Sequence, residues 1–493
     1  MGISTYHQFD TVVRNGTVIT ATEKMHCDIG IKDGVITALG TGLSSGANEV
    51  DVQGKYILPG GVEAHCHIEQ SSSHGIMTAD DFYSGSVSAA FGGNTTIVPF
   101  ACQHKGQSLL SIADSYEQSG KEKSVIDFSY HVIVSDPTQE VLNDELPTLI
   151  RRGITSFKVY TTYELLKLDD YQMLEVLALA RKEQALVMVH AENYDMIRWL
   201  TDRLLAKGHI EPKFHAISHP QIGEGEAANR VISLSEFIDV PLLIVHVSCS
   251  EATKAIREAQ TKGLKIYGET CPQYLTLTMQ DLEREGMEGA KFCCSPPPRD
   301  LESQESIWNG LSNGTFQILS SDHAPYRFDS SGKLNQGMKT PFNKIANGLP
   351  GIEVRLPLFY NEAVNSGRLD IHQFVALTST NAARIYGLFP QKGTIAIGSD
   401  ADLAIWDMEK EVEIRSEALH DNADYTPYEG KKVRGWPVQV MQRGKLIVEG
   451  QKLIADRGEG LFLSRKSSSF SKPLGRKIKE MDVSRNFGAD LYT

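Results

Sequence analysis

The middle of the chain constrains the fold more than any other part of it. From about residue 59 to about 390, short apolar runs alternate with amphipathic stretches at a steady cadence. The runs at 126–135, 155–161, 186–192, 242–248, 265–270, 292–295 and 317–322 read as buried strands. Between them, spacings such as Leu174, Leu177 and Ala178, or Ile232, Leu234, Phe237 and Ile238, put apolar side chains on one face of a helix. Strand, helix, strand repeated over this length favours an α/β fold in which a (β/α)8 TIM-like barrel forms the centre. Pattern alone leaves an open doubly wound sheet as the alternative. No G-x-G-x-x-G or Walker loop follows a strand, which counts against nucleotide binding.

A different texture brackets this middle. Residues 9 to about 59 form short runs (11–13, 17–20, 28–31, 35–39) punctuated by Asn15-Gly16 and Asp33-Gly34, dipeptides that supply the positive φ of tight hairpins. The same texture returns between 393 and 454, in runs at 401–406, 438–442 and 446–448, with Arg443-Gly444 between the last two. Two such flanks suggest a small β-sandwich domain formed from both chain ends. The expected division is 1–58 and 391–465 for the sandwich, 59–390 for the barrel and 466–493 for a tail. That tail is Ser-rich and basic without periodicity, and reads as an arm that is flexible or clasps a neighbour.

Composition narrows the functional classes. Lys and Arg total 49 against 62 for Asp and Glu, so the net charge is −13, which argues against nucleic acid or an anionic membrane as the partner and for a small neutral substrate. The seven cysteines (Cys27, Cys66, Cys102, Cys249, Cys271, Cys293, Cys294) are odd in number and form no C-x-x-C pair, so reduced thiols are expected. Residues 1–10 are polar and no apolar run approaches a membrane span, so a cytoplasmic protein is expected. Met1-Gly2 has Tyr6 where a myristoylation motif needs Ser or Thr, and the sequons at Asn15, Asn94 and Asn313 read as chance.

The chemistry gathers at strand ends. His65 and His67 flank Cys66, and residues two apart on a strand point to one face, so both imidazoles can reach one metal. Alone, that pair is as well explained by ordinary hydrogen bonds. Further strands place Lys158, His190, His246 and Asp322 near their C-terminal ends, and in a parallel barrel those ends form one face. Burying imidazoles, an amine and a carboxylate is costly unless they are paired or metallated, so together they point to a metal site. An ammonium is a poor ligand, and pairing with a carboxylate would account for a buried Lys158. A desolvated lysine, however, can react as the free amine, and its carbon dioxide adduct is an anionic group able to bridge two cations.

On these residues the chain resembles the cyclic amidohydrolases, and among them the dihydropyrimidinase/hydantoinase group, over nearly its whole length. The resemblance rests on Pro59-Gly60-Gly61 before His65-Cys66-His67, on Phe157-Lys158, Val189-His190-Ala191-Glu192-Asn193, Gly223-Glu224-Gly225-Glu226, His246-Val247-Ser248, Gly268-Glu269-Thr270-Cys271-Pro272, Ser295-Pro296-Pro297, Ser321-Asp322-His323 and Asn347-Gly348. It implies two divalent metal ions per subunit. His65, His67 and Asp322 would bind one and His190 and His246 the other. Lys158, as N6-carboxylysine, would bridge them, with a hydroxide shared between the ions. Zinc suits the ligands, and manganese or cobalt is also accepted. The resemblance further implies that Tyr163 polarises the scissile carbonyl, that Ser295 and Asn347 hold the ring amide through backbone groups, and that Asp322 shuttles a proton to the leaving nitrogen. Homotetramers are usual in the group.

The implied function is hydrolytic opening of a cyclic amide, a dihydropyrimidine or 5-monosubstituted hydantoin, to an N-carbamoyl amino acid. Allantoinase, a cyclic imidase, an exocyclic amide hydrolase and a non-catalytic scaffold of the same fold are the alternatives. Dihydroorotases are disfavoured, because Glu69 stands where they place an Arg to grip a substrate carboxylate. The chain departs from the group at Glu63, where relatives have Asp, at Pro99-Phe100 in place of Asp-Phe, and at Thr161-Thr162-Tyr163-Glu164, which replaces a more apolar stretch. Residues 70–77, expected beside the pocket mouth, are polar, and His74 and His104 are expected to be solvated.

Overall fold

The computed structural model describes residues 7–72 and 75–491; Met1, Gly2, Tyr6, His74 and the last two residues of the tail lie outside the described residues. Seven parallel strands form one sheet in the order Phe100–Cys102, His131–Ile133, Ser156–Tyr160, Leu186–His190, Leu242–Ile244, Ile266–Thr270 and Ile318–Leu319. Gly61–Glu63, Asn94–Ile97 and Asp127–Phe128 form a second parallel sheet. The two are continuous: Val98 N donates to Glu63 O at 2.8 Å and His131 N to Pro99 O at 2.8 Å, across the break made by Pro99, which has no N–H to give. At the far edge Cys66 bridges His323, and His67 N donates to His323 O at 2.6 Å, linking the last strand back to the first. The parallel strands therefore curl as a TIM-like barrel does, with His65, His67, His190, His246 and Asp322 at or just beyond the C-terminal ends and Lys158 at the middle of its strand.

Local sequence explains the intervening helices. Asp170–Glu183 begins at Asp169, whose carboxylate accepts from Gln172 N while Gln172 returns its amide oxygen to Asp169 N, and it ends where Gln184 turns left-handed. Its buried face is Met173, Val176, Leu177 and Ala180, so Ala178 is exposed, one step off the expected face. In Gln221–Ile238 the buried positions include Val231, Ile232, Ser235 and Ile238, while Phe237 faces solvent. One expected strand is absent. Residues 292–295 leave the 3-10 turn Glu288–Phe292 as irregular chain, and Phe292, Cys293 and Cys294 are buried against Leu277, Leu282 and Tyr428. A short apolar run packed under a loop has the same text as a short strand.

The flanks interleave. Tyr56–Pro59 pairs with Thr17–Ile19 in parallel and with the start of Leu403–Glu413 antiparallel, so both chain ends share one seven-stranded sheet. Phe9–Arg14, Asp28–Lys32, Val35–Gly40 and Gly46–Asp51 form a four-stranded sheet. Val13, Ile29 and Ile31 from it and Val18, Ile57, Leu403 and Ile405 from the larger sheet lie in one apolar core. Asp33-Gly34 and Arg443-Gly444 make the expected tight hairpins, with positive φ at both residues of each. Asn15-Gly16 does not. It carries the chain from one sheet to the other, and a Cβ on Gly16 would lie 2.4 Å from the Ile57 side chain.

The tail lies against its own barrel as far as Arg476. Arg465 is buried and donates to Ser129 Oγ, Ser156 Oγ and Tyr130 O; Lys265 donates to Ser469 O and Lys472 O; Asp239 accepts from Leu474 N and Gly475 N. Barrel and terminal sheets meet at Lys392, whose buried Nζ lies 2.6 Å from Asp127, 2.7 Å from Asp402 and 2.9 Å from Asp400. Burial alone would lower its pKa, but the three carboxylates outweigh that and raise it above 10.5. Its stabilisation is thus fully present below the unfolded value of 10.5 and is lost only as pH rises through the higher folded value. Lys392→Met is expected to destabilise by about 3–5 kcal/mol, because it strands buried carboxylates. Urea unfolding should give the same loss at pH 7 and pH 9; a loss of under about 1 kcal/mol would contradict this reading of the junction.

Candidate metal centre

His65 Nε2 and His67 Nε2 lie 3.2 and 3.1 Å from Asp322 Oδ1. One ligand atom from each of the three falls within 4.8 Å of the others. His246 sits 5.4 Å from His65, ring centre to ring centre, and 4.4 Å from His190. Lys158 completes the group, with Nζ 2.7 Å from His65 Nε2. Among the described residues it forms no ion pair with a carboxylate, and its ammonium lies over the Phe100 and Tyr160 rings. Every residue that the sequence placed at this site is therefore here: Lys158, Tyr163, His67, His190, His246, Ser295, Asp322 and Asn347 line one small cavity of about 80 Å³, with His65 beneath.

Backbone strain concentrates at the same place. Tyr163, His246 and Asp322 take φ of 65°, 40° and 49°, a left-handed region that side chains with a Cβ rarely occupy. Each stands just beyond a strand end, and the unusual turn follows a stretch of regular pairing.

Three of the four imidazoles, those of His65, His67 and His190, are oriented by a partner on the other side, a role that the sequence pattern does not reveal. His65 Nδ1 lies 2.5 Å from Glu269 Oε1, His190 Nε2 2.8 Å from Glu192 Oε2, and His67 Nδ1 2.7 Å from Gln70 Oε1. Glu192 also accepts from Ser295 Oγ at 2.6 Å. Glu63 accepts from His65 N at 2.9 Å and Ser321 N at 3.0 Å and is paired with buried Arg355, so it joins the strand ends that carry His65 and Asp322. A signal is present in that Glu63 and Glu192 stand two residues from a histidine ligand candidate and Glu269 is the penultimate residue of a strand. Glu192 and Glu269, which touch the rings themselves, fix the tautomer and raise the basicity of His190 and His65.

The electrostatics suit a cation. Burial holds His67 down to about 4 and His246 well below the usual value, so both are neutral and able to ligate. Burial opposes ionisation of Asp322, but pairing with His65 and hydrogen bonds from His65 and His67 outweigh it and keep the group an anion; Glu269 and Asp322 in turn raise His65 against its burial, so that ring gives up a proton when it ligates. Burial lowers Lys158 to about 8, which leaves a usable fraction of free amine near neutrality. His246 Nδ1 is buried with no hydrogen-bond partner among the described residues, a lone pair that a cation would satisfy. Neutral imidazoles with a carboxylate are donors that zinc, manganese and cobalt accept. The residues present fit a metal.

The cavity wall carries Tyr163, Ser295 and Asn347. Burial raises the Tyr163 phenol, so it stays a donor, and Asn347 Nδ2 lies 3.4 Å from its oxygen. Gln70, Ser71 and Ser72 line the mouth, as expected of the polar 70–77 segment. His104 is not simply solvated: it is half-buried and bonded to Ser71 Oγ at 3.2 Å.

The Amidohydrolase family model matches residues 56–447. The chain is 43% identical over 458 residues to a D-hydantoinase of Ralstonia pickettii, covering 93% of this chain and 99% of that one. It is 43% identical over 457 residues to a D-hydantoinase of Geobacillus stearothermophilus, covering 92% and 96%. Among solved structures it is similar to a dihydropyrimidinase from Brevibacillus agri NCHU1002, with a TM-score of 0.90, 41% identity and coverage of 93% and 99%.

Replacing Glu269 by Gln removes the charge that orients His65 while keeping the shape. Metal affinity, read by competition with a chromophoric chelator, is expected to fall about 10–100-fold. An unchanged affinity would mean that the short contact between them is incidental.

Proposed function

The chain belongs to the amidohydrolase family and is a cyclic amidohydrolase, and from that premise we propose that it opens a dihydropyrimidine or a 5-monosubstituted hydantoin to an N-carbamoyl amino acid. The observation that carries this reading is the meeting of Lys158, free of any carboxylate pair among the described residues, with His65, His67 and Asp322 on the floor of a cavity walled by Tyr163, Ser295 and Asn347.

In this reading His65, His67 and Asp322 would hold one divalent ion and His190 and His246 a second, and carboxylated Lys158 would serve both. Zinc is the first choice and manganese or cobalt the alternatives. When bound, such a pair supplies hydroxide near neutral pH and polarises the carbonyl. The chain's own residues do the rest. Ser295 and Asn347 hold the ring amide so that its carbonyl faces Tyr163. The Tyr163 hydroxyl donates to the carbonyl oxygen as negative charge develops there. Asp322, an anion beside His65 and His67, takes the remaining proton of the attacking hydroxide and returns it to the ring nitrogen as the C–N bond breaks, since an unprotonated amide nitrogen leaves poorly. Glu192 keeps His190 and Ser295 in register through shared hydrogen bonds.

We further read residues 59–390 as an eight-stranded (β/α)8 catalytic barrel, and 1–58 with 391–465 as one sandwich. The protein would be a cytoplasmic homotetramer whose tail, 466–493, contributes to assembly. Among the described residues no helix is long and apolar enough to cross a membrane.

Zinc-loaded protein assayed across dihydrouracil, hydantoin, 5-phenylhydantoin, allantoin and succinimide tests the reaction class. Turnover of dihydrouracil or a hydantoin, abolished in Lys158→Ala, is the expected result; preference for allantoin or succinimide would move the assignment to those rings. Silence with metal bound would favour the scaffold alternative. Tyr163→Phe is expected to lower kcat about 10²–10³-fold at unchanged metal content, the usual worth of one oxyanion donor.

A further inference from the structure

Lys333 is a fully buried ion outside the metal centre. Among the described residues it forms no ion pair with a carboxylate, and burial lowers its pKa from 10.5 to about 8. Its Nζ instead donates to two main-chain carbonyls, Cys293 O and Ala346 O, each at 2.9 Å. An ammonium kept from water and satisfied only by carbonyls is an expensive choice where an apolar side chain would pack. The carbonyls it selects are informative. Cys293 lies two residues before Ser295 and Ala346 one before Asn347, and both of those residues line the cavity.

The two segments come from separate loops, one following the turn Glu288–Phe292 and the other the turn Phe342–Lys344. Apart from Lys333, Gly348 N joins them by donating to Cys293 O at 3.0 Å. Asn347 Oδ1 is buried without a hydrogen-bond partner among the described residues, so a shift of its segment would move an unpaired acceptor within the cavity. Gly348 has φ of 155° and a Cβ there would lie 2.5 Å from Ala324, so the segment's backbone has little room to adjust by itself.

We propose that Lys333 is a positioning residue for the substrate: its ammonium clamps the 293–295 and 346–348 segments at a fixed separation and so sets the distance between the groups that hold the cyclic amide. The proposal rests on the reading of Ser295 and Asn347 given above. It does not make Lys333 a catalytic residue, since its contacts are to backbone behind the cavity wall. Loss of the clamp should therefore weaken ring binding before it affects the metal floor.

The test is steady-state kinetics of wild type, Lys333→Met and Lys333→Gln on the best ring of the panel, with metal content by mass spectrometry and thermal unfolding measured alongside. Methionine keeps the length of the stem without a donor, and glutamine restores a neutral N–H. The expected result is a rise in KM of about tenfold or more for Lys333→Met, a smaller rise for Lys333→Gln, and wild-type metal content in both. Folded, metal-loaded Lys333→Met with wild-type KM would overturn the proposal. So would a joint fall of kcat and metal content at constant KM, and failure of both variants to fold would assign Lys333 to folding alone. Wild-type silence on every ring would remove the ring-opening reading and this proposal with it, whereas wild-type turnover with an unaffected variant removes only the clamp.

Discussion

Histidines, a lysine and an aspartate held out of water at the C-terminal ends of parallel strands are what the rest of the structure has to accommodate. Each such group is costly to bury alone. The chain answers with partners on the far side of every ring except His246: Glu269 behind His65, Glu192 behind His190, Gln70 behind His67. Those partners are themselves fixed. Glu269 accepts from Ser320 Oγ, Glu192 from Ser295 Oγ, and Glu63 is locked between Arg355 and the backbone of His65 and Ser321. The curled parallel strands supply the frame, because they bring positions as distant as 65, 158, 190, 246 and 322 to one floor.

Much of this was legible in the sequence, for a geometrical reason. A strand has a period of two and a parallel barrel has one functional face, so a histidine or lysine near the end of an apolar run can be placed without knowing anything else about the fold. That is why His65, His67, Lys158, His190, His246 and Asp322 were placed together. Residues 292–295 show the limit: their apolar text is that of a strand, but they form the underside of a loop, a distinction that depends on tertiary partners such as Leu277 and Tyr428. Asn15-Gly16 shows another, since the glycine is required by Ile57 packed against it rather than by a hairpin. The orienting roles of Glu63, Glu192 and Glu269 escaped because a buried carboxylate in a strand is uninformative until its partner is known. The same holds for Lys333, whose partners are backbone atoms that no side-chain pattern encodes.

Two side chains near the floor each serve more than one part of it. Glu63 serves Arg355, His65 N and Ser321 N at once with a single carboxylate. Gln70 has a double duty, orienting His67 while lining the pocket mouth beside Ser71 and Ser72. The orientation of His67 and access to the cavity are thus joined in one side chain, so a change at the polar mouth would be felt at the floor.

In the proposed reading, Lys158, as a carboxylated side chain, joins two metal ions at this floor. Counting zinc per chain by mass spectrometry after loading in bicarbonate, for wild type and Lys158→Met, tests it most directly. Two ions are expected in the wild type and no more than one in the variant. Equal stoichiometry in the two proteins would contradict it, leaving Lys158 as a buried lysine with no part in holding metal.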